Sequence, residues 1–169
     1  LDQVAPALAD AGIRLSSWAD LDEDDEKFVV ETFEERIFPV LTPLAVDPGH
    51  PFPYISNLSL NLAVIVRDPD EGDRRFARVK VPSLLPRFVV LPDGERYVPL
   101  EQVIAAHLDQ LFPGMEIEQH HAFRVTRNTD LTLEEEEADD LLAMVEVELR
   151  RRRFGRAVRL EIDAAMSDE

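Results

Sequence analysis

The chain has no cysteine among its 169 residues, which excludes disulfides and thiolate metal sites outright. It has only six glycines, all scattered. A phosphate-cradling loop needs a run of backbone N–H groups at a Gly-rich turn, and no GxGxxG, P-loop or GxSxG pattern occurs. No apolar run is long enough to span a bilayer. The longest, from Leu58 to Val66, is interrupted by Ser59 and Asn61. The opening LDQVAPALADAG lacks the basic start of a signal peptide, and it begins on leucine, as an excised piece of a longer protein would. Positive charge is also scarce: 18 Lys and Arg stand against 35 Asp and Glu, a formal net charge of −17. Such a surface repels nucleic acid and anionic membrane.

What basic charge exists is concentrated. Twelve of the eighteen cations lie in three segments, Arg74 to Lys80, Arg124 to Arg127 and Arg150 to Arg159. Each reads either as a local anion-binding stripe or as a solvated face. Prolines are concentrated as well. Pro39, Pro43, Pro48, Pro51 and Pro53 exclude a helix between Phe38 and Tyr54 and hold that stretch extended. Its apolar residues Val40, Leu41, Leu44, Val46, Phe52, Tyr54 and Ile55 predict an ordered, buried connection. It delivers the chain into a strand with Leu58, Leu60, Leu62, Val64 and Val66 on one apolar face.

The remaining elements follow from local signals. Leu1 to Ala11 predicts a short amphipathic helix stopped by Gly12, and Ile13 to Trp18 an extended piece anchored by Trp18. Asp22 to Ile37 predicts a second helix, with acids at its positive end and a stripe of Phe28, Val29, Thr32, Phe33 and Ile37, ended by Pro39. RDPDEGDR is a turn, and Phe76 to Val81 a hairpin partner for the preceding strand. Asp93-Gly94 joins short strands at 87–91 and 96–98. Leu100 to Phe112 predicts a third helix with a buried His107, and Glu116 to Thr126 a strand. Thr132-x-x-Glu135 is a capping box for a long helix to Phe154, stopped by Gly155, with a last strand at 157–162. The order predicts one α+β domain around one mixed sheet with packed helices. Residues 1–37 form a helical lead-in, 38–56 the proline-rich connection, and 57–162 the sheet and helices.

Candidate chemistry is thin. His120 and His121 are adjacent on a strand, so they point to opposite faces and cannot jointly hold one ion. His50 fastens the proline-rich stretch by a hydrogen bond in this reading. The acidic clusters sit where helix starts favour negative charge. Arg124 and Arg127, at a strand end before Asn128, are the substrate-facing candidates, because the guanidinium fork suits phosphate oxygens. Salt bridges to nearby acids are the alternative. Arg150 to Arg153 surround a helix end, where the helix dipole already accounts for them.

Two blocks carry a specific resemblance. LTPLAVDPGHPFPYISNLSLNLAV resembles the signature of the middle, or head, domain of bacterial polyphosphate kinase of the first type. FRVTRNTDLTLEEEEADDLLAMVEVELRRRRFGRAVRLEI resembles the closing part of that domain, and the two stand in the family's order. The resemblance implies a cytoplasmic enzyme, membrane-associated in its full-length form in some settings, that reversibly transfers the ATP terminal phosphate to polyphosphate. It implies that the phosphorylated histidine, the metal ligands and most phosphate ligands lie in later domains. No catalytic residue, metal site or cofactor is therefore expected in this chain, while ATP and Mg2+ belong to the full-length enzyme. The expected partners are the remaining domains of the same kinase, a second copy in a homo-oligomer, and polyphosphate. The expected role of the domain is to wall the substrate tunnel and aid dimer assembly, with Arg124 and Arg127 facing polyphosphate. A stand-alone module binding an acidic or phosphorylated partner is the alternative.

Overall fold

A computed structural model describes residues 4–46, 52–128 and 155–166. The predicted long helix with its capping box, Arg150 to Arg153 and His50 lie outside these residues. Helix α1 (Val4–Asp10) ends at Gly12, whose φ of 78° is the left-handed conformation that makes glycine the natural stop. Strand β1 (Arg14–Leu15) follows, then a single 3-10 turn carrying Trp18. Helix α2 (Glu23–Thr32) starts where the Asp22 carboxylate accepts the Asp25 N–H at 2.9 Å.

The second helix does not continue as an α-helix to Ile37. Residues Phe33–Ile37 form a π turn and Phe38–Val40 a 3-10 turn across Pro39. The buried residues explain the change: Asp25, Val29, Phe33 and Ile37 recur every four positions. A four-residue step exceeds the 3.6-residue turn, so the stripe drifts around an α-helix. One wider turn brings Ile37 back to the core side.

Two sheets form instead of one, within the expected α+β class. Strands β2 (Pro43–Ala45), β3 (Leu60–Arg67), β4 (Arg74–Lys80), β7 (Glu116–Arg127) and β8 (Ala157–Ile162) make an antiparallel sheet in the order β2-β4-β3-β7-β8. Strands β1, β6 (Arg96–Pro99) and β5 (Phe88–Val90) make a mixed sheet in the order β1-β6-β5, with β1 parallel to β6. The predicted hairpins at 68–73 and 93–94 join β3 to β4 and β5 to β6.

The main core lies between one face of the large sheet and the helices with the small sheet. Val29, Phe33, Leu62, Val64, Val79, Val98, Val103 and Ile104 are its centre. The predicted third helix is broken into α3 (Leu100–Ala105) and α4 (Leu108–Leu111) at His107. The His107 ring turns inward, bonds the Val103 carbonyl through Nδ1 at 2.8 Å and stacks on Phe33 at 4.2 Å. Trp18 meets its edge at 5.2 Å and fixes the lead-in to the core, as expected.

Strand β3 departs from the single apolar face. Asn61, Leu62, Ala63 and Val64 are all buried, because a second small cluster of Ile55, Ala63, Phe123 and Val125 covers the opposite side. Arg78, within the basic segment Arg74 to Lys80, is 7% exposed, and its Nη1 lies 3.4 Å from Asn61 Oδ1. Leu58 belongs to no strand: it has a φ of 59° and is exposed.

The proline-rich connection also departs from expectation. Of its seven apolar residues only Ile55 is buried, while Val40, Leu44, Phe52 and Tyr54 are exposed. Phe52 packs against Phe76 at 5.3 Å, and Tyr54 lies under the Arg127 guanidinium at 4.3 Å.

Candidate functional site

At the end of the large sheet where β3 begins, the chain leaves a cleft of about 480 Å³. Register builds it. Leu60 pairs with Arg124 of β7 on one side, and its carbonyl accepts the Val81 N–H at 3.0 Å on the other. Lys80 and Arg124 therefore arrive from the two strands that flank β3. Arg87 comes from the segment leading into β5, and Ser56, Asn57, Ser59 and Ser83 complete the polar lining.

The charge is one-sided. Lys80, Arg87 and Arg124 line the cleft, and among the described residues no carboxylate does. Glu101 holds Arg87 from outside through both Nη atoms, with the Nη2 contact at 2.7 Å. Elsewhere Arg67, Arg74, Arg75, Arg96 and Arg159 all carry carboxylate partners. Among the described residues neither Lys80 nor Arg124 has one. A Lys and two Arg side chains lining one cleft, with no acid among its described lining residues, favour an anion, and the Arg forks suit phosphate oxygens.

The rim is strained. Ser56 to Ser59 form a tight turn, with the Ser59 N–H donating to the Ser56 carbonyl at 3.2 Å. Leu58, at its third position, occupies the left-handed region, which costs a non-glycine residue roughly 1–2 kcal/mol. The Leu58 N–H bond to the Val125 carbonyl at 2.8 Å and the Asn61 amide on Ser59 at 2.9 Å hold the turn in place.

The two arginines named from sequence separate here. Arg124 faces the cleft. Arg127 donates through Nε to the Ile55 carbonyl and through Nη1 to the Gly155 carbonyl, both at 2.8 Å, and lies over Tyr54. Its backbone N–H donates to Asn57 Oδ1 at 2.8 Å. It clips the end of the proline-rich connection to β7 and to the start of the last strand. Gly155 serves close approach here: a Cβ there would overlap the Asn128 carbonyl. Lys80 lay within a basic stripe legible in the sequence, whereas Arg87 stood alone between prolines and gave no signal.

His120 and His121 pair with Val64 and Ala63 and so occupy opposite sheet faces. Desolvation in the sheet, and then the charge of His121, lower the His120 pKa below the ordinary imidazole value. Among the described residues no group of three His, Asp or Glu side chains could hold a metal ion. No helix among them is long and apolar enough to cross a membrane.

Comparison with known proteins places these features in a family. The family described as polyphosphate kinase middle domain matches residues 24–169. The chain is 60% identical over 168 residues to a polyphosphate kinase of Streptomyces coelicolor, covering 99% of this chain and 22% of that protein. It is 58% identical over 170 residues to a polyphosphate kinase of Synechocystis, covering 94% of this chain and 23% of that protein. The crystal structure of polyphosphate kinase from Porphyromonas gingivalis superposes with a TM-score of 0.64 at 33% identity, covering 73% of this chain and 22% of that one. The chain thus spans less than a quarter of the length of these relatives.

Proposed function

The chain belongs to the polyphosphate kinase family, as its middle domain, and from that premise we propose that it serves as a non-catalytic wall of the polyphosphate path. The parent enzyme in this reading transfers the terminal phosphate of ATP reversibly to polyphosphate, with ATP and Mg2+ handled by other domains. The domain contributes position and charge, which phosphoryl transfer chiefly requires. It also contributes surface for the other domains and for dimer assembly. No step through a metal is assigned to its own residues, which offer no donor cluster among those described.

The cleft carries the reading. Within a chain of net charge −17 it is lined, among the described residues, by three cations and no carboxylate. Lys80 and Arg124 contact phosphate groups, Arg87 is held in place by Glu101, and Arg127 acts through the connection it clips.

Steady-state kinetics of the full-length enzyme test this. Lys80→Gln and Arg124→Gln should each raise the apparent KM for polyphosphate severalfold and lessen its dependence on salt, by the counterion-release rule established for nucleic acids. The kcat should change little, since uniform binding is what such contacts supply. A polyphosphate KM unchanged in the double variant overturns the reading.

A further inference from the structure

A second groove adjoins the cleft across Leu85 and Leu100, which line both. It runs between α2 with its π turn and strand β5, has a volume of about 290 Å³, and is floored by Ile37, Val89 and Leu100. Arg36 is its charged wall and has no carboxylate partner among the described residues. Beside it, β5 is the edge of the small sheet.

The register fixes which backbone groups are free. The Leu91 N–H donates to Arg96 and the Leu100 N–H to Arg87, at 2.9 and 3.0 Å. Residues 87, 89 and 91 therefore bond inward to β6. Phe88 is paired with Pro99, which has no N–H, so it stands in a non-bonded pair, as does Val90 opposite Tyr97. The N–H and C=O of Phe88 and Val90 point off the sheet, and their side chains are 36% and 43% exposed. An edge that no strand covers among the described residues, and that bears apolar side chains, is a template for another strand.

We propose that β5 is extended by a strand from elsewhere in the parent polypeptide, with an apolar side chain in the groove and a carboxylate on Arg36. This rests on the middle-domain reading, under which more than three-quarters of the parent lies outside this chain, as in the relatives. A three-residue edge offers four hydrogen bonds, too few to offset the lost freedom of a separate partner. A tethered segment meets the edge at high effective concentration and avoids most of that loss.

Hydrogen exchange of the full-length enzyme with single-amide resolution decides it. The Phe88 and Val90 amides should exchange at least about tenfold more slowly than the amide of exposed Leu84, at every enzyme concentration. Exchange as fast as that of Leu84 overturns the proposal, and protection that appears only as enzyme concentration rises overturns it in favour of a second copy. Val90→Pro removes an N–H that β6 does not use, so the sheet tolerates it while the added strand does not. The variant should lose protection at Phe88 and keep it at Val98. If the variant does not fold, the wild-type exchange still decides. Polyphosphate synthesis by the same sample reads the kinase assignment separately: active enzyme with an unprotected edge loses only this inference.

Discussion

Arg96 and Arg124 are both strand arginines, and they lead opposite lives. Arg96 at the start of β6 meets the buried Asp25 from two Nη atoms, the Nη2–Oδ1 contact at 2.8 Å, and meets Asp93 through Nε. Arg124 on β7 stands opposite Glu161 of β8 without an ion pair to it, and lines a cleft with no acid among the described residues. The first region spends its charges on holding α2 to the small sheet; the second leaves them available. In a domain with so many carboxylates, an unmatched cation is the informative one, because surface pairs form readily and contribute little each.

Removing Asp25 should break the comparison most visibly. Asp25→Ala leaves Arg96 part-buried without its main partner, and stability should fall by about 3 kcal/mol, read from the urea midpoint. The polyphosphate KM of the full-length variant should not move. Next in size is Arg127→Gln, which forfeits two charge-assisted bonds to the carbonyls of Ile55 and Gly155. It should lose about 2 kcal/mol and make the Tyr54–Asn57 segment newly sensitive to protease. Arg124→Gln, three residues earlier on the same strand, should stay within about 0.5 kcal/mol of the parent. Equal losses at the two positions would remove the distinction between clip and ligand.

The smallest effect concerns acid. Hydrogen bonds from the Arg96 side chain, and then from the Arg96 and Glu95 N–H groups, hold the Asp93 carboxyl at about 2, against an ordinary value of 3.8. A folded-state value below the unfolded one stabilises the fold above the ordinary value and loses that contribution as pH falls through the folded one. The difference in urea midpoint between the parent and Asp93→Ala should therefore shrink between pH 4 and pH 2. A constant difference across that window would mean that the Asp93-Gly94 turn holds β5 to β6 without help from the charge.

Local chemistry made much of this legible in the sequence. The acids at the start of α2, the stop at Gly12 and the two hairpin turns act within a few residues, and the structure keeps all of them. The inward-facing His107 was also readable, from its place on an apolar helix side. The exposure of Val40, Leu44, Phe52 and Tyr54 was not, because apolar content says nothing about whether a partner surface exists on both sides. The left-handed Leu58 had no signature, since leucine is a poor choice for that conformation and only the flanking bonds to Val125 and Ser56 impose it.

The sequence by itself determined the family through the resemblance of two blocks, and the α+β class and the local turns through apolar periodicity and the glycine and proline positions that constrain φ and ψ where they stand. Tertiary structure alone decided which arginine is a ligand candidate and which a clip. It also decided that Asp25 is a partner of Arg96 as well as a helix-start charge, that β3 is covered on both faces, and that α2 widens into a π turn. The arginine roles and the cover of β3 depend on pairing between residues far apart in the chain, such as Leu60 with Arg124 and Asp25 with Arg96, and the π turn on which residues the core takes in. A pattern read along the chain constrains conformation; strand register and packing across the core choose the partners.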